Sequence, residues 1–338
     1  MDSLPILNYV LIGQLKRDYI LPPSEKPILD VIGGNLVYTA VGLRLWQSGA
    51  GLVARIGEDY PHSWLEKLVD FGFDRRGIKV LPENFDLRFF TAYTDPVTRT
   101  HDSPISHFAR LGIPFPKSLL GYSYSQPGLD SRTRPTDLSI RPNDIPADYL
   151  DATAAHICAL DFFSHTILPS ALHRGNISTI TLEPSAGYMN PTFWNDIPLV
   201  VRGLTAFIVG EEKVRNLFQG RSDDIWEMAE ALADYGCEMI VVKMGARGQY
   251  VFVHDNRTRW MIPAYPARIT NPSGAGDAFC GGFLAGYRTT YDPLAAALHG
   301  SISASMVVEG DFPFYALDSM PGLASMRLES LRDRILKA

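Results

Sequence analysis

The residues Asn271-Pro272-Ser273-Gly274-Ala275-Gly276-Asp277-Ala278-Phe279-Cys280-Gly281-Gly282 set glycines beside a carboxylate at the head of an apolar, small-residue run. Phe279, Phe283 and Tyr287 recur at helical spacing, which predicts a helix over Ala278 to Tyr287 with Gly274 and Gly276 where it begins. Free backbone N–H groups and the positive end of the helix dipole favour an anion there. An aspartate in the same turn is out of place if the turn only binds phosphate. It makes sense if the carboxylate takes a proton from a hydroxyl while the N–H groups hold the phosphate which that hydroxyl attacks. A tight turn with a capping aspartate would read the same way, so the rest of the chain has to decide.

The chain has 338 residues, 46% hydrophobic and 20% charged, enough for one large α/β domain, or two modest ones, with a well-filled core. A net charge of −6 argues against general nucleic-acid or anionic-membrane binding. No apolar run approaches the roughly 20 residues of a membrane span, and the start has no basic, then apolar, leader pattern. Cys158, Cys237 and Cys280 are scattered in apolar segments and read as buried thiols. The eight histidines form no zinc-ligand cluster. A cytoplasmic location is the expectation.

Positioning such a turn requires a scaffold, and the hydrophobic pattern supplies one. Strands are expected at Asn8 to Gly13, Leu52 to Gly57, Ala155 to Ala159, Ser178 to Leu182, Leu204 to Val209 and Met239 to Lys243, with Gln249 to Val253 pairing after the last. Helices are expected at Leu36 to Trp46, His62 to Phe71, His165 to Arg174, Ser222 to Tyr235 and Leu294 to Val308. The alternation implies a mainly parallel sheet with helices on both faces. Asp18 to Gly34 reads as a hairpin, and Phe89 to Tyr93 as a strand that pairs with it. The stretch 114–146, rich in Ser, Pro, Gly and Arg, reads as an irregular loop. No internal repeat or domain-sized linker interrupts residues 1–338. Ligands bind such sheets at the C-terminal strand ends. Glycine turns fall there at Gly33-Gly34-Asn35, at Gly245-Ala246-Arg247-Gly248 and at the aspartate turn. The Walker A lysine pattern is absent, and no dinucleotide-binding glycine fingerprint follows the first strand.

In this order the motifs resemble those of the PfkB/ribokinase family of carbohydrate and nucleoside kinases, from about Tyr9 to about Gly310. Gly33-Gly34-Asn35 with the helix after it, then Val53-Ala54-Arg55-Ile56-Gly57, is similar to the family's first signature, and Asn271 to Gly282 to its second. The resemblance implies a three-layer α/β/α ribokinase-like fold, with a small β lid over the substrate formed by about 16–32 and 86–102. It implies transfer of the γ-phosphoryl group of ATP to an alcohol of a sugar, sugar acid or nucleoside. Asp277 matches the family's general base, and Gly274, Ala275 and Gly276 its anion hole. Asp18, Gly33, Gly34 and Asn35 match positions that face the substrate. Lys243, Gly245 and Gly248, with Ser273, match the nucleotide side.

Several positions carry a second reading. Asp18 also suits a hairpin turn, and Asn35 could cap the helix that follows it. Lys243 could be a solvated strand-end charge. Arg88, before the lid strand, could reach an anionic substrate group or be an exposed edge arginine. Glu183 lies at a strand end where the cleft should be, or is an ordinary turn residue before Pro184.

Three departures from the family pattern stand out. Asn271 replaces an aspartate, keeping an oxygen but losing the charge, which puts potassium activation in doubt. The family's Asn-x-x-Glu motif, which organises Mg²⁺, reads here Gly210-Glu211-Glu212-Lys213, leaving Glu211 or Glu212 as substitute ligands. The short segment between Asp18 and Gly33 predicts a reduced lid, with monomer and homodimer both open. Tyr38 is bulky where many members have a smaller polar residue. A catalytically weak, kinase-like binding or regulatory protein is the alternative function.

Overall fold

The computed structural model describes residues 6–23, 26–124 and 130–336. Parts of the expected lid segment (24–25) and of the irregular loop (125–129) lie outside these. In chain order the strands are β1 (Tyr9–Ile12), β2 (Lys16–Leu21), β3 (Ile28–Gly33), β4 (Ala50–Gly57), β5 (Asp74–Leu81), β6 (Arg88–Tyr93), β7 (Arg99–Thr100), β8 (Ala154–Ile157), β9 (Thr179–Leu182), β10 (Ala206–Gly210), β11 (Met239–Lys243), β12 (Gln249–Val253) and β13 (Thr258–Ile262). The helices are α1 (Asn35–Arg44), α2 (His62–Asp70), α3 (Pro104–Arg110), α4 (Phe162–Leu172), α5 (Ile197–Val201), α6 (Glu211–Leu217), α7 (Ile225–Ala233), α8 (Ala275–Thr290), α9 (Pro293–Val307) and α10 (Leu323–Leu336).

The central sheet runs β13-β12-β11-β10-β9-β8-β1-β4-β5. It is parallel from β5 to β11 and antiparallel at β12 and β13. Its middle strands are short, largely apolar and buried throughout, with His156 and Thr181 paired to each other inside, as a sheet covered on both faces requires. Alternation along each strand divides the core. Tyr9 and Leu11 pack with α1, α2, α8 and α9 on one face; Val10 and Ile12 pack with α4, α5, α6 and α7 on the other. The result is the expected three-layer α/β/α arrangement.

Helix α8, whose N-terminus carries the aspartate turn, docks on α1 backbone to backbone. A Cβ on Gly281 would lie 1.9 Å from the Thr39 carbonyl oxygen, and one on Gly42 2.1 Å from that of Ala278. Only glycines allow this approach, and it brings the N-termini of α1 and α8 to one cleft.

A second sheet, β3-β2-β6-β7, stands beside the first. β2 pairs antiparallel with β3 and parallel with β6. The register with β3 slips between Asp18 and Tyr19, where Asp30 takes a left-handed φ of 54° and bulges out. Arg17 holds that bulge with two hydrogen bonds to Asp30, at 2.9 and 2.7 Å. Tyr19, Leu21, Phe90, Ala92, Phe108 and Leu119 give this sheet its own small core.

Candidate functional site

Gly274 opens α8 in the left-handed region, at φ 76°, where a side chain would be strained. It would also collide, since the ring of Tyr38 from α1 lies against Gly274 and a Cβ would meet it at 2.1 Å. The Asn271 side chain braces the turn by accepting from Ser273 N at 3.0 Å. The Gly276 and Asp277 N–H groups find no main-chain acceptor, as expected for the first turn of a helix. Ser273 does not stand free: its hydroxyl meets that of Tyr93, from β6, at 3.0 Å.

Asp277 is the third residue of α8, open to the cleft and otherwise enclosed. Burial, and then the charge of Glu183, raise its pKa to about 6, against the opposing fields of Lys243, Lys213 and Arg99. A carboxylate at a helix N-terminus would ordinarily be more acidic than usual; here desolvation outweighs the dipole. Next to it, three consecutive strand ends each deliver one charge. Glu183 follows β9, Lys213 sits in the first turn of α6 after β10, and Lys243 ends β11. Lys243 Nζ donates to Glu183 Oε2 at 2.7 Å and to the Gly276 carbonyl at 2.9 Å. Lys213 Nζ donates to Glu183 Oε1 at 3.1 Å and to the Pro184 carbonyl at 2.8 Å. Burial alone would make Glu183 a weaker acid, but the two ammonium groups outweigh it and hold the carboxyl well below the usual range. Burial likewise pulls Lys243 down, and Cys280, Glu183 and Asp277 more than restore it, so it stays protonated. Lys243 is thus a buried brace between the sheet and the aspartate turn, not a solvated strand end.

Across the cleft, Asp18 from β2 is almost fully buried, and its Oδ1 has no hydrogen-bond partner. Gly33 makes room for it, since a Cβ there would fall 1.9 Å from Asp18 Oδ2. Burial lifts the Asp18 pKa to about 7; the Gly34 amide and Lys16 oppose the shift, and Asp277 adds to it. A buried, unpaired carboxylate oxygen is costly unless something binds it. Asn35 neither caps α1, whose cap is Gly34, nor offers a free amide. Its Oδ1 accepts from Gln14 N at 2.7 Å and its Nδ2 donates to the Ala159 carbonyl at 2.8 Å, tying the ends of β1 and β8 together. Arg88 is also committed elsewhere. It pairs with Asp86 at 2.7 Å and donates to the carbonyls of Ser118 and Leu120 at 2.8 and 3.0 Å. Arg99, on β7 at the edge of the second sheet, is the arginine whose field reaches Asp277. Nothing in its sequence context marked it, because a two-residue edge strand has no readable period.

On the nucleotide side, Gly245 and Gly248 take φ of 60° and 98°, and the space beside Gly245 is open. The carboxylates expected to hold Mg²⁺ do not fit that role. Both oxygens of Glu211 are engaged, Oε1 by Arg215 at 2.9 Å and Oε2 by Arg247, and Glu212 points to solvent. Among the described residues no group of three acidic, histidine or cysteine side chains is arranged to take a metal. The Lys213 ammonium claims Glu183, the carboxylate beside it.

The fold and this cleft define a ribokinase-like architecture. Its neighbours include a putative ribokinase II from E. coli, at TM-score 0.69 and 17% identity over 97% of this chain and 99% of that one. Aminoimidazole riboside kinase from Salmonella enterica superposes at TM-score 0.67 and 16% identity, over 95% of this chain and all of that one. Residues 180–311 match the pfkB family carbohydrate kinase model. In sequence, the chain is 25% identical to cytidine kinase from Thermococcus kodakarensis over 83% of its own length and 89% of the relative's. It is 22% identical to 5-dehydro-2-deoxygluconokinase from Geobacillus kaustophilus over 96% and 94%. The family-model match over residues 180–311 and the near full-length likeness to sugar and nucleoside kinases make the chain a small-molecule kinase, of the sugar or nucleoside kind, acting by ATP-dependent phosphoryl transfer. None of its described helices is long and apolar enough to cross a membrane.

Proposed function

We propose that the acceptor is a hydroxyl of a sugar, sugar acid or nucleoside, held between Asp18 and Asp277 under the β2-β3-β6-β7 sheet, with Asp277 as the general base. The observation that carries this reading is the placement of Asp277: a carboxylate with pKa about 6, in the first turn of a helix whose Gly276 and Asp277 N–H groups are free. A base of that strength is ionised at neutral pH, yet close enough to it to accept a proton as the hydroxyl oxygen forms its bond to phosphorus. The free N–H groups stabilise charge on the transferred phosphoryl oxygens, and they are fixed before the reaction begins. Asp18 Oδ1 offers the acceptor that a second substrate hydroxyl satisfies. Gly245 leaves room for the nucleotide, Gly248 lets the chain turn against the Ile262 carbonyl beside it, and Ser273 borders the nucleotide. The nucleotide brings Mg²⁺, whose charge lowers the cost of phosphoryl transfer.

The missing metal carboxylates favour a second reading, a kinase-like binder with weak chemistry. The two are separated by incubating the protein with γ-labelled Mg·ATP and a panel of sugars, sugar acids and nucleosides. The kinase reading expects label to move to one class of acceptor over many turnovers. Ligand binding without transfer across the panel would sink it.

A further inference from the structure

The site described above contains one charge the proposed mechanism leaves idle, and it stands where a cation is needed. Lys213 is the third residue of α6. A lysine in the first turn faces the positive end of its own helix, which is unfavourable unless an anion comes near. An ammonium has three protons to donate. Lys243 uses its three on Glu183, the Gly276 carbonyl and, at 3.6 Å, Cys280 Sγ. Lys213 uses two, on Glu183 and Pro184. Among the described residues its third proton is unclaimed, and its side chain is 24% exposed where that of Lys243 is 13%. Glu183 cannot neutralise both lysines, so the cluster carries a net charge of about +1. It touches the aspartate turn directly through the bond from Lys243 to Gly276, and its field reaches Asp277. Neither Glu183 nor Glu211 has an oxygen to spare, since those of Glu183 are taken by the lysines and those of Glu211 by Arg215 and Arg247.

We propose that in this protein the nucleotide's terminal phosphates are held by the fixed ammonium of Lys213, seated on the Glu183–Lys243 brace, and that the protein has no divalent-ion site of its own, so the metal enters only as the counter-ion of the nucleotide. This rests on the reading of the cleft as a phosphoryl-transfer site. The sequence arranges the exchange by placing Lys where the family motif has Glu, while Glu183 keeps that lysine in place. Charge-assisted contacts from ammonium to phosphate do not need a metal between them.

Three measurements on the full chain test this. Calorimetric titration with ATP in excess EDTA should give binding within about tenfold of that for Mg·ATP, because a charged hydrogen bond supplies what the metal otherwise would. Lys213→Gln should weaken metal-free ATP binding by at least about tenfold, with Lys213→Arg retaining most of it. Water-proton relaxation with Mn²⁺ and no nucleotide should detect no tight site in the wild type. Thermal unfolding of both variants checks that they fold, and the arginine variant keeps the test open if the glutamine variant does not. A tight Mn²⁺ site without nucleotide, or metal-free ATP binding that Lys213→Gln leaves unchanged, overturns the proposal while phosphoryl transfer from Mg·ATP still stands. Failure of wild type to bind ATP in either form overturns the proposal together with the functional reading on which it rests.

Discussion

At the scale of single residues the account turns on two carboxylates whose pKa values are both raised, Asp18 to about 7 and Asp277 to about 6, chiefly by burial. A protonated Asp277 cannot accept a proton, and the two groups sense each other. The acid limb of kcat/KM should therefore fall off with an apparent pKa of about 6 to 7, well above the roughly 4 of a free carboxyl. A profile flat down to pH 5 would contradict both assignments. The same shifts fix a sign for stability. A raised carboxyl pKa means that the folded state binds its proton more tightly than the unfolded chain does. Each group is then neutral and harmless below its unfolded pKa, and costs stability as pH rises toward and past its folded pKa. Asp18→Asn should accordingly raise the thermal midpoint at pH 8 and change it less at pH 5. It should also raise KM for the acceptor by about tenfold or more, because a charged acceptor is lost. Much of this was legible in the sequence. Asp277, its glycines and Asp18 stand where motif spacing put them. The roles of Asn35, Arg88 and Glu211 were not legible. Each is decided by partners distant in sequence or set by the turn geometry: Ala159, Ser118 with Leu120, and Arg247.

At the scale of elements, the cleft exists because α1 and α8 touch through Gly42 and Gly281. Gly281→Ala would drive a methyl group into the Thr39 carbonyl. Overpacking of this kind costs about 1–3 kcal/mol, and the displaced α8 would carry Gly274 to Asp277 with it. Chemical denaturation should show that loss, and kcat should fall further than KM rises; an unchanged unfolding midpoint would mean the helices can separate freely. Strand and helix legibility followed burial. β1, β8 and β11 are buried on both faces over almost their whole length, which leaves short, mostly apolar runs legible in the sequence. β5, with its charged Asp74-Arg75-Arg76 start on the sheet edge, has no such run, and neither does β13 on the opposite edge. α6 was hidden under the Gly210 to Lys213 motif, which drew attention to its charges rather than its helix.

At the scale of the whole molecule, the second sheet supplies Asp18, Arg99 and Tyr93 to a cleft whose other wall belongs to the central sheet and α8. Nucleotide and acceptor together should thus clamp two separately cored layers. Each ligand stabilises the native state by mass action, about 2.7 kcal/mol at a hundredfold excess over Kd. Added together, a nonhydrolysable ATP analogue and the true acceptor should raise the thermal midpoint by more than the sum of their separate shifts. Strictly additive shifts would mean that the layers do not act on one site.

The most direct test of the central claim is the turnover of Asp277→Asn, measured under saturating Mg·ATP and acceptor with nucleotide binding verified by calorimetry. Asparagine keeps the shape of the turn and removes the proton acceptor. With Asp277 as the base, kcat should fall by at least about a hundredfold while nucleotide affinity changes little. A variant that binds nucleotide and turns over at near the wild-type rate would show that Asp277 is not the base.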